Sequence, residues 1–277
     1  MLESWSTADD LVNNPYFQRD EVPFNLLYRI CELDGATCLK SKDGMMIYAQ
    51  SPGQNGWLWT SAELRDSEHD ERLRELAEVL ESHESPELPE LPGITGLPHT
   101  VERFANLYAN AKQLHYDTHM GMESYCCPKV LKPQHVGGTM EKALGNRTGI
   151  VASFLAGFSE SAYGVTVTPE SQWSAAEGLI GQGDLYFWMV DGRPVSMANI
   201  AHRSPRHGRI NAVYTPPASR KQGYASALVA EVCELLHRES LQPMLYADLT
   251  NPESNNVYQQ IGFVDSGKVT DIRFNRG

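Results

Sequence analysis

Apolar positions along the chain follow two patterns: a spacing of three to four residues, and short continuous runs. The first pattern places apolar side chains on one face of a helix, and the second is typical of buried strands. Trp57 and Trp59 lie in one such run, where alternate aromatic residues favour a core position over a substrate pocket. In the first half of the chain the patterns predict helices over residues 23–33, 64–80 and 101–114, and strands over 45–50, 56–60 and 115–125.

The second half shows the same elements more clearly. Asp191-Gly192 marks a tight turn between two apolar runs, so a hairpin is predicted there. Thr168 and Pro169 predict a helix start, because Thr caps a helix and Pro suits its first turn. Helices are predicted over 143–158, 168–179, 223–239 and 254–260. Strands are predicted over 184–190, 194–201, 209–214 and 243–249, with a closing strand from 263 and a further one at 271–274.

Two breaks interrupt these elements. Residues 82–99 repeat Pro and Gly and predict an irregular connector, and Pro128 and Pro133 mark a second break. A length of 277 residues suits one large domain or two small ones. We therefore predict a domain boundary near 130, with domains at residues 1–129 and 130–277.

The net charge and the cysteine content exclude several classes of partner. The formal net charge of -12 repels phosphate backbones, so nucleic acid is a poor partner, while cationic amines are mildly favoured. The first ten residues do not resemble a signal peptide, and no apolar run approaches the length of a membrane span, so no membrane partner is expected. Five cysteines without a CxxC pair predict a reduced, cytoplasmic protein. The spacing of His115, His119, Cys126 and Cys127 fits no zinc pattern, so no metal is expected.

A strand, a short basic turn and a helix follow one another at residues 209–239. The turn, Arg220–Ala225, reads RKQGYA, and Gly223 leaves room for an anion to approach the backbone. The start of a helix has unpaired N–H groups and a partial positive charge, to which Arg220 and Lys221 add. This combination predicts a diphosphate site. The patterns of the Walker loop, GxxxxGK[ST], and of the dinucleotide fingerprint, GxGxxG, are both absent.

A second motif, NPESNNVYQQIGF, follows at Asn251–Phe263. Together the two segments resemble the GNAT superfamily of acyl-CoA-dependent N-acyltransferases. Arg220–Ala225 matches its [QR]xxGx[GA] motif, and the second segment matches N-x-x-[AS]-x-x-x-Y-x-x-x-GF. The element order of residues 1–125, with a short LPGxxG turn, resembles the degenerate N-terminal half of two-domain members. The resemblance implies an α/β fold of tandem GNAT-like domains, with a mixed central sheet of splayed strands flanked by helices.

The resemblance also implies acetyl-CoA as the co-substrate. Backbone amides of about Gln222–Ala225 would hold its pyrophosphate, with Arg220 shaping the loop. Main-chain groups at Val213 would pair with the pantetheine arm, and Asn251 would contact the same arm. Tyr258 would protonate the leaving thiolate. The residues implied to bind acetyl-CoA are Ala212, Val213, Tyr214, Arg220, Lys221, Gln222, Gly223, Tyr224, Ala225, Ser226, Asn251 and Ser254.

The sequence leaves the proton acceptor open. Many relatives carry an acid on the strand before the pyrophosphate loop, where this chain has Asn211, which cannot take a proton. The remaining candidates are a water, Asp248, His202, His207 or a carboxylate from elsewhere. Asp248 is preferred because its strand faces the implied cleft, although a hydrogen bond at the strand end is its alternative role. The two histidines are expected in an exposed hairpin loop.

The resemblance implies direct acetyl transfer to a primary amine of a small molecule or an amino-acid-like acceptor. Cys233 falls within a long predicted helix and is expected to be buried, which disfavours transfer through a cysteine thioester. Two alternatives stay open: a non-catalytic acyl-CoA-binding or sensor module, and a protein lysine or N-terminal acetyltransferase. A monomer or homodimer is expected, and the acceptor is not identified by the sequence.

Overall fold

The computed structural model describes residues 2–5, 9–82 and 91–276, which form two compact units. Unit 1 contains the residues up to Ser124, Asp248–Thr250 and the chain from Ser266 onwards. Unit 2 contains Tyr125–Ala247 and Asn251–Asp265. Unlike the predicted domains 1–129 and 130–277, the units assign the C-terminal segment to the same unit as the N-terminal half.

Unit 1 is a mixed sheet with helices packed against it. Its strands are β1 (Leu2–Ser4), β2 (Thr37–Ser41), β3 (Met46–Gln50), β4 (Gly56–Thr60), β5 (Gly93–Gly96), β6 (His115–Cys126) and β12 (Val264–Asn275). Its helices are α1 (Asp9–Val12), α2 (Leu26–Cys31), α3 (Asp66–Ser82) and α4 (Pro98–Lys112). Neighbouring strands from β1 to β5 pair antiparallel except β4 and β5, which are parallel, and β5 pairs antiparallel with β12.

Two helices and the sheet enclose the core of unit 1. Leu73 and Leu76 of α3 and Phe104 of α4 pack against Leu58 and Ile94 of the sheet, and all five side chains are fully buried. Burying each such side chain contributes about 1.5–3 kcal/mol.

The two tryptophans of β4 belong to the core, as the pattern favoured. Trp59 is fully buried against Phe17, with ring centroids 5.4 Å apart, and its Nε1 donates a hydrogen bond to Asp20. Trp57 packs edge-on to Phe24. Both indole rings are therefore used in packing.

The prediction of an irregular connector over residues 82–99 is wrong for its described part. β5 occupies Gly93–Gly96, and α4 begins at Pro98. A Cβ on Gly93 would lie 2.2 Å from the backbone oxygen of Ile272, so only glycine permits this approach of β5 to β12. Residues 83–90 of the predicted connector lie outside the described residues.

Unit 2 is a five-stranded mixed sheet with helices on both faces. Its strands are β7 (Thr139–Lys142), β8 (Leu185–Val190), β9 (Arg193–Arg203), β10 (His207–Tyr214) and β11 (Gln242–Asp248), in the order β11-β10-β9-β8-β7. Its helices are α5 (Thr148–Tyr163), α6 (Trp173–Gln182), α7 (Tyr224–Arg238) and α8 (Pro252–Ile261). Only β10 and β11 pair in parallel, so the predicted class, a mixed α/β sheet flanked by helices, is confirmed.

Alternate residues of the unit 2 sheet face two separate cores. Ala198 and Ile200 of β9 pack with α7, whereas Met197 of the same strand packs with α5 and α6. This alternation follows from the two-residue period of a strand. Among the helices in the described ranges, none has the length and apolar character needed to cross a membrane.

Several predicted boundaries in the C-terminal part need correction. The helix predicted over 143–158 begins at Thr148, because the chain before it forms β7, whose ladder with β8 is extended by Ala143 donating to Leu185. Thr168 caps a 3₁₀ turn at Glu170–Gln172, and α6 starts only after that turn. The two short strands predicted near the C-terminus are one continuous strand, β12.

A histidine lies within the interior of unit 1. His69 of α3 is 6% exposed, and its Nε2 lies 3.1 Å from the Thr60 hydroxyl and 3.3 Å from that of Thr100. Within the described residues its Nδ1 has no hydrogen-bond partner. Burial lowers the pKa of His69, and the nearby positive charge of Arg103 and the ring of His99 lower it further.

We expect this histidine to make unit 1 less stable in acid. Because its folded-state pKa lies below the unfolded value of about 6.5, its stability contribution is complete above that pH. That contribution is lost as the pH falls, by at most about 1.4 kcal/mol per pH unit. Thermal unfolding between pH 8 and pH 5 should show this loss, and His69→Gln should flatten it. The exposed His119→Gln is the control, and an unchanged slope in His69→Gln would contradict the assignment.

Candidate functional site

Strand β10 contains an irregularity two residues before its end. From Asn211 to Tyr214 it advances three residues while the paired strand β9 advances two, so β10 holds one extra residue. Ala212 adopts a left-handed conformation with φ of +49°. Such a β-bulge removes main-chain groups from the ladder and redirects the strand. The main chain at Ala212 and Val213 is therefore available for groups other than β9.

Strands β10 and β11 pair only at their starts. Their parallel register runs from His207↔Gln242 to Arg209↔Met244. Beyond Arg209, β10 continues to Tyr214 and β11 to Asp248, and within the described residues no further pairing joins them. The two strands thus separate on the side where β10 carries its bulge, as the family resemblance implied.

The turn after β10 leads into the start of α7. A 3₁₀ turn at Pro217–Ser219 is followed by Lys221 and Gly223, both left-handed with φ of +62° and +76°. Gly223 is the residue immediately before α7, and no side chain caps the helix there. A Cβ on Gly223 would lie 3.0 Å from Cγ2 of Val136, so a side chain here would crowd its surroundings.

The first turn of α7 presents unpaired donors. Ala227 N–H bonds to the carbonyl of Gly223, which closes the first helical ring. For the preceding amides of Tyr224, Ala225 and Ser226, the described part of the chain supplies no acceptor. Together with the helix dipole and the Lys221 cation, these amides can bind an anion.

Arg220 holds the turn in place. Its Nε donates to the carbonyl of Thr215 at 3.0 Å, and its Nη2 donates to the Ser161 hydroxyl of α5 at 3.0 Å. Its guanidinium carbon lies 5.9 Å from the centroid of the Tyr214 ring. Arg220 therefore ties the turn to the end of β10 and to α5.

The Asn-x-x-Ser spacing of the second motif has a local structural role. Asn251 caps α8, because its Oδ1 accepts a hydrogen bond of 3.1 Å from the Ser254 amide. Its backbone oxygen accepts a second bond, from the Asn255 side chain. A cap of this kind stabilises a helix by about 1 kcal/mol. Contact of Asn251 and Ser254 with a pantetheine arm stays a prediction.

Tyr258 lies on α8 within an aromatic cluster. Its ring centroid is 6.3 Å from that of Tyr125 and 5.7 Å from that of Phe263. Burial raises the pKa of Tyr258 to about 12, so the phenol is protonated throughout the physiological range. A neutral phenol is the form that donates a proton.

Asp248 closes the turn at the end of β11. Its Oδ1 accepts hydrogen bonds from the Thr250 amide at 2.7 Å and from the Thr250 hydroxyl at 2.8 Å. The carboxylate therefore makes the strand-end hydrogen bonds that were its alternative role. Its part in proton transfer stays a prediction.

Comparison with known proteins identifies the domain around this turn. Residues 153–263, from α5 to the end of the second motif, match the sequence model of the acetyltransferase (GNAT) family. The chain carries a GNAT-family acetyltransferase domain. Comparison with curated proteins gives no match.

Solved structures similar to this one extend the likeness beyond the GNAT domain. A GCN5-related N-acetyltransferase from Sphaerobacter thermophilus has a TM-score of 0.62 at 15% identity, over 100% of this chain and 96% of that one. A GNAT-family acetyltransferase from Colwellia psychrerythraea has a TM-score of 0.59 at 12% identity, over 99% of this chain and 100% of that one. At such low identity the likeness concerns the fold alone, and it covers both units.

The GNAT domain places the two candidate histidines at the other end of β10. His207 begins the strand and lies five residues before the bulge, about 16 Å away. His202 pairs with Arg209 on the neighbouring strand. Both residues lie in strands, with His207 buried and His202 half-buried, so the expectation that they lie in an exposed loop is wrong. The hairpin packs inwards because its turn is closed by Ser204, which donates to the His207 carbonyl.

Cys233 is unsuited to carry an acetyl group. Its side chain is fully buried in α7, as the sequence predicted. Burial raises the pKa of its thiol, and the neighbouring Cys127 raises it further. A buried protonated thiol is a poor nucleophile.

Two residues near the turn and the bulge of the GNAT domain were not predicted from the sequence. Asn199 of β9 is fully buried, and its Nδ2 donates to Oδ1 of Asn211 at 2.9 Å. A polar residue inside the apolar run VSMANIA was the available signal for it. Val136 contacts the position of Gly223 from a distant segment, and no local pattern indicates such a contact.

Proposed function

We propose that this protein transfers an acetyl group from acetyl-CoA directly to a primary amine of a small molecule or an amino-acid-like acceptor. The observation that carries the proposal is the start of α7. Three amides without a protein acceptor in the described residues follow the left-handed Gly223, and Lys221 stands two positions before that glycine. This arrangement fits the diphosphate of coenzyme A.

The bulge and the separated strands suit the rest of the coenzyme. A pantetheine arm contains two amide groups, which require hydrogen-bond partners along an extended path. The main chain of Ala212 and Val213, outside the β9 ladder, offers such partners beside the gap between β10 and β11. The Val213 N–H would then polarise the thioester carbonyl and stabilise the oxyanion that develops during attack.

Tyr258 would complete the transfer as a general acid. The amine nitrogen attacks the thioester carbonyl carbon, a C–N bond forms, and the C–S bond breaks. The electron pair of that bond leaves with the sulfur, which takes the phenolic proton. The pKa of about 12 means that Tyr258 carries its proton at neutral pH, which is the form a general acid requires.

We retain Asp248 as the proposed acceptor of the ammonium proton, and its substitution tests the role. Asp248→Asn should lower kcat/KM about tenfold or more, because the amide cannot take up the ammonium proton. Thr250→Val is the matched control, because it deletes a hydroxyl bound to the same carboxylate oxygen and leaves the carboxylate intact. An unchanged kcat/KM in Asp248→Asn would reject the assignment.

Thiol release tests the proposed function as a whole. The protein would be incubated with acetyl-CoA and a panel of small amines, amino acids and peptides, while calorimetry measures acetyl-CoA binding separately. Turnover with small amines supports the proposal. Binding without turnover on any acceptor favours a sensor, and turnover confined to peptides favours a protein acetyltransferase.

A further inference from the structure

An unusual pair of carboxamides bridges β9 and β10. Asn199 is fully buried, yet its Oδ1 has no hydrogen-bond partner in the described part of the chain. A buried polar atom without a partner destabilises the folded state. The nitrogen of the same side-chain amide does have a partner, because Nδ2 donates to Oδ1 of Asn211 at 2.9 Å. A polar residue that destabilises an apolar strand in this way indicates a function other than packing.

The hydrogen bond fixes the orientation of Asn211. Because Oδ1 of Asn211 faces Asn199, its amide nitrogen is directed away from Asn199 and carries two N–H donors. Asn211 is exposed, and it immediately precedes the bulge at Ala212. It also lies beyond Arg209, where β10 has already separated from β11. The donors of Asn211 are therefore presented next to the gap.

We propose that Asn211, oriented by Asn199, is a specificity-determining residue that binds an oxygen of the acceptor close to its amino group. This inference rests on the proposed function and names its substrate class: amines with a carbonyl or carboxylate oxygen three or four bonds from the nitrogen. Only Ala212 separates Asn211 from Val213, so the two residues lie within about 7 Å of each other, which such a molecule can span together with its hydrogen bonds. The neutral amide donates its N–H groups to this oxygen and offers no charge to hold a polyamine.

Matched acceptors test the inference. Glycinamide is compared with ethylamine, and phenylalaninamide with 2-phenylethylamine, by thiol release from acetyl-CoA. We expect the wild type to prefer the oxygen-bearing member of a pair about tenfold in kcat/KM, with each concentration expressed as unprotonated amine because the paired amines differ in pKa. Asn211→Ala should lose this preference, mainly through a higher KM for the oxygen-bearing member, while the plain amine changes little. Asn146→Ala, at another exposed asparagine of unit 2, should keep the preference.

Each alternative result has a separate meaning. A preference that persists in Asn211→Ala, or an equal loss for both members of each pair, overturns the inference and leaves the proposed function standing. If no amine is acetylated, the proposed function fails, and binding decides the inference. In nuclear magnetic resonance spectra of the CoA-saturated protein, the side-chain amide signal of Asn211 is identified by its absence in Asn211→Ala. This signal should shift when phenylalaninamide is added and stay unchanged with 2-phenylethylamine. Equal shifts, or none, overturn the inference.

Discussion

Replacing Gly223 with aspartate should abolish useful acetyl-CoA binding, with a rise in Kd of about 100-fold or more. The new carboxylate would stand at the start of α7, beside the amides of Tyr224, Ala225 and Ser226. It would repel the diphosphate and compete for its donors. The loss of two charge-assisted hydrogen bonds, at about 1.5–3 kcal/mol each, accounts for the size of the effect.

The same substitution should leave the fold intact. Gly223 has φ of +76°, a conformation that aspartate tolerates better than most residues. A negative charge at a helix N-terminus contributes about 0.3–1 kcal/mol of stability. Val136 must move slightly, because its Cγ2 lies 3.0 Å from the new Cβ. We therefore expect a Tm close to that of the wild type together with the loss of binding.

Gly164→Asp is the matched control in the same unit. Gly164 follows α5 with φ of +65°, and a Cβ added there would meet no atom within 4 Å. It makes the same charge change at a helix C-terminus, so it should lower stability slightly and leave acetyl-CoA affinity unchanged. Calorimetric titration of both variants measures the difference. Equal affinities in Gly223→Asp and the wild type would contradict a diphosphate site at α7.

Local physics explains why this part of the site was predictable. The turn, the start of α7 and the cap of α8 depend on residues within four positions of one another, and the sequence motifs record them directly. Gly223 and Asn251 adopt the conformation and the cap expected for their residue types. The mixed sheet with flanking helices was predictable for the same reason, because each element carries its own apolar period.

Long-range contacts explain what the sequence did not predict. β5 resembles a turn by composition, and it becomes a strand because Gly93 lets β12 approach from nearly 180 residues away along the chain. The C-terminal segment joins unit 1 through that pairing. The role of Asn199 depends on a contact between two strands, because its side-chain amide donates to Asn211 on β10. The base is unassigned for the same reason: Asp248 has a local partner in Thr250, and sequence spacing does not reveal which groups face the substrate.

Tyr258→Phe should lower kcat about 100-fold and leave acetyl-CoA affinity within about twofold of the wild type. The substitution removes only the phenolic oxygen, so the ring contacts with Tyr125 and Phe263 persist. A general acid contributes about 100-fold or more to a transfer of this kind. Without it, the thiolate must leave unprotonated. The substitution therefore slows the chemical step and lowers kcat. Stopped assays at saturating acetyl-CoA measure kcat, and calorimetry measures the affinity.

The pH profile and a substitution at a neighbouring tyrosine distinguish a general acid at Tyr258 from a residue that only packs. Burial raises the pKa of Tyr258 to about 12, so its titration lies beyond an assay range of pH 6–10. The alkaline sides of the wild-type and Tyr258→Phe profiles should therefore run parallel. Tyr125→Phe removes a phenol of the same cluster, one that donates to Asn255 at 3.2 Å, and should change kcat by less than about threefold. If both variants lose kcat equally, the hydroxyls support the structure of the cluster, and the proton for the departing sulfur comes from another group.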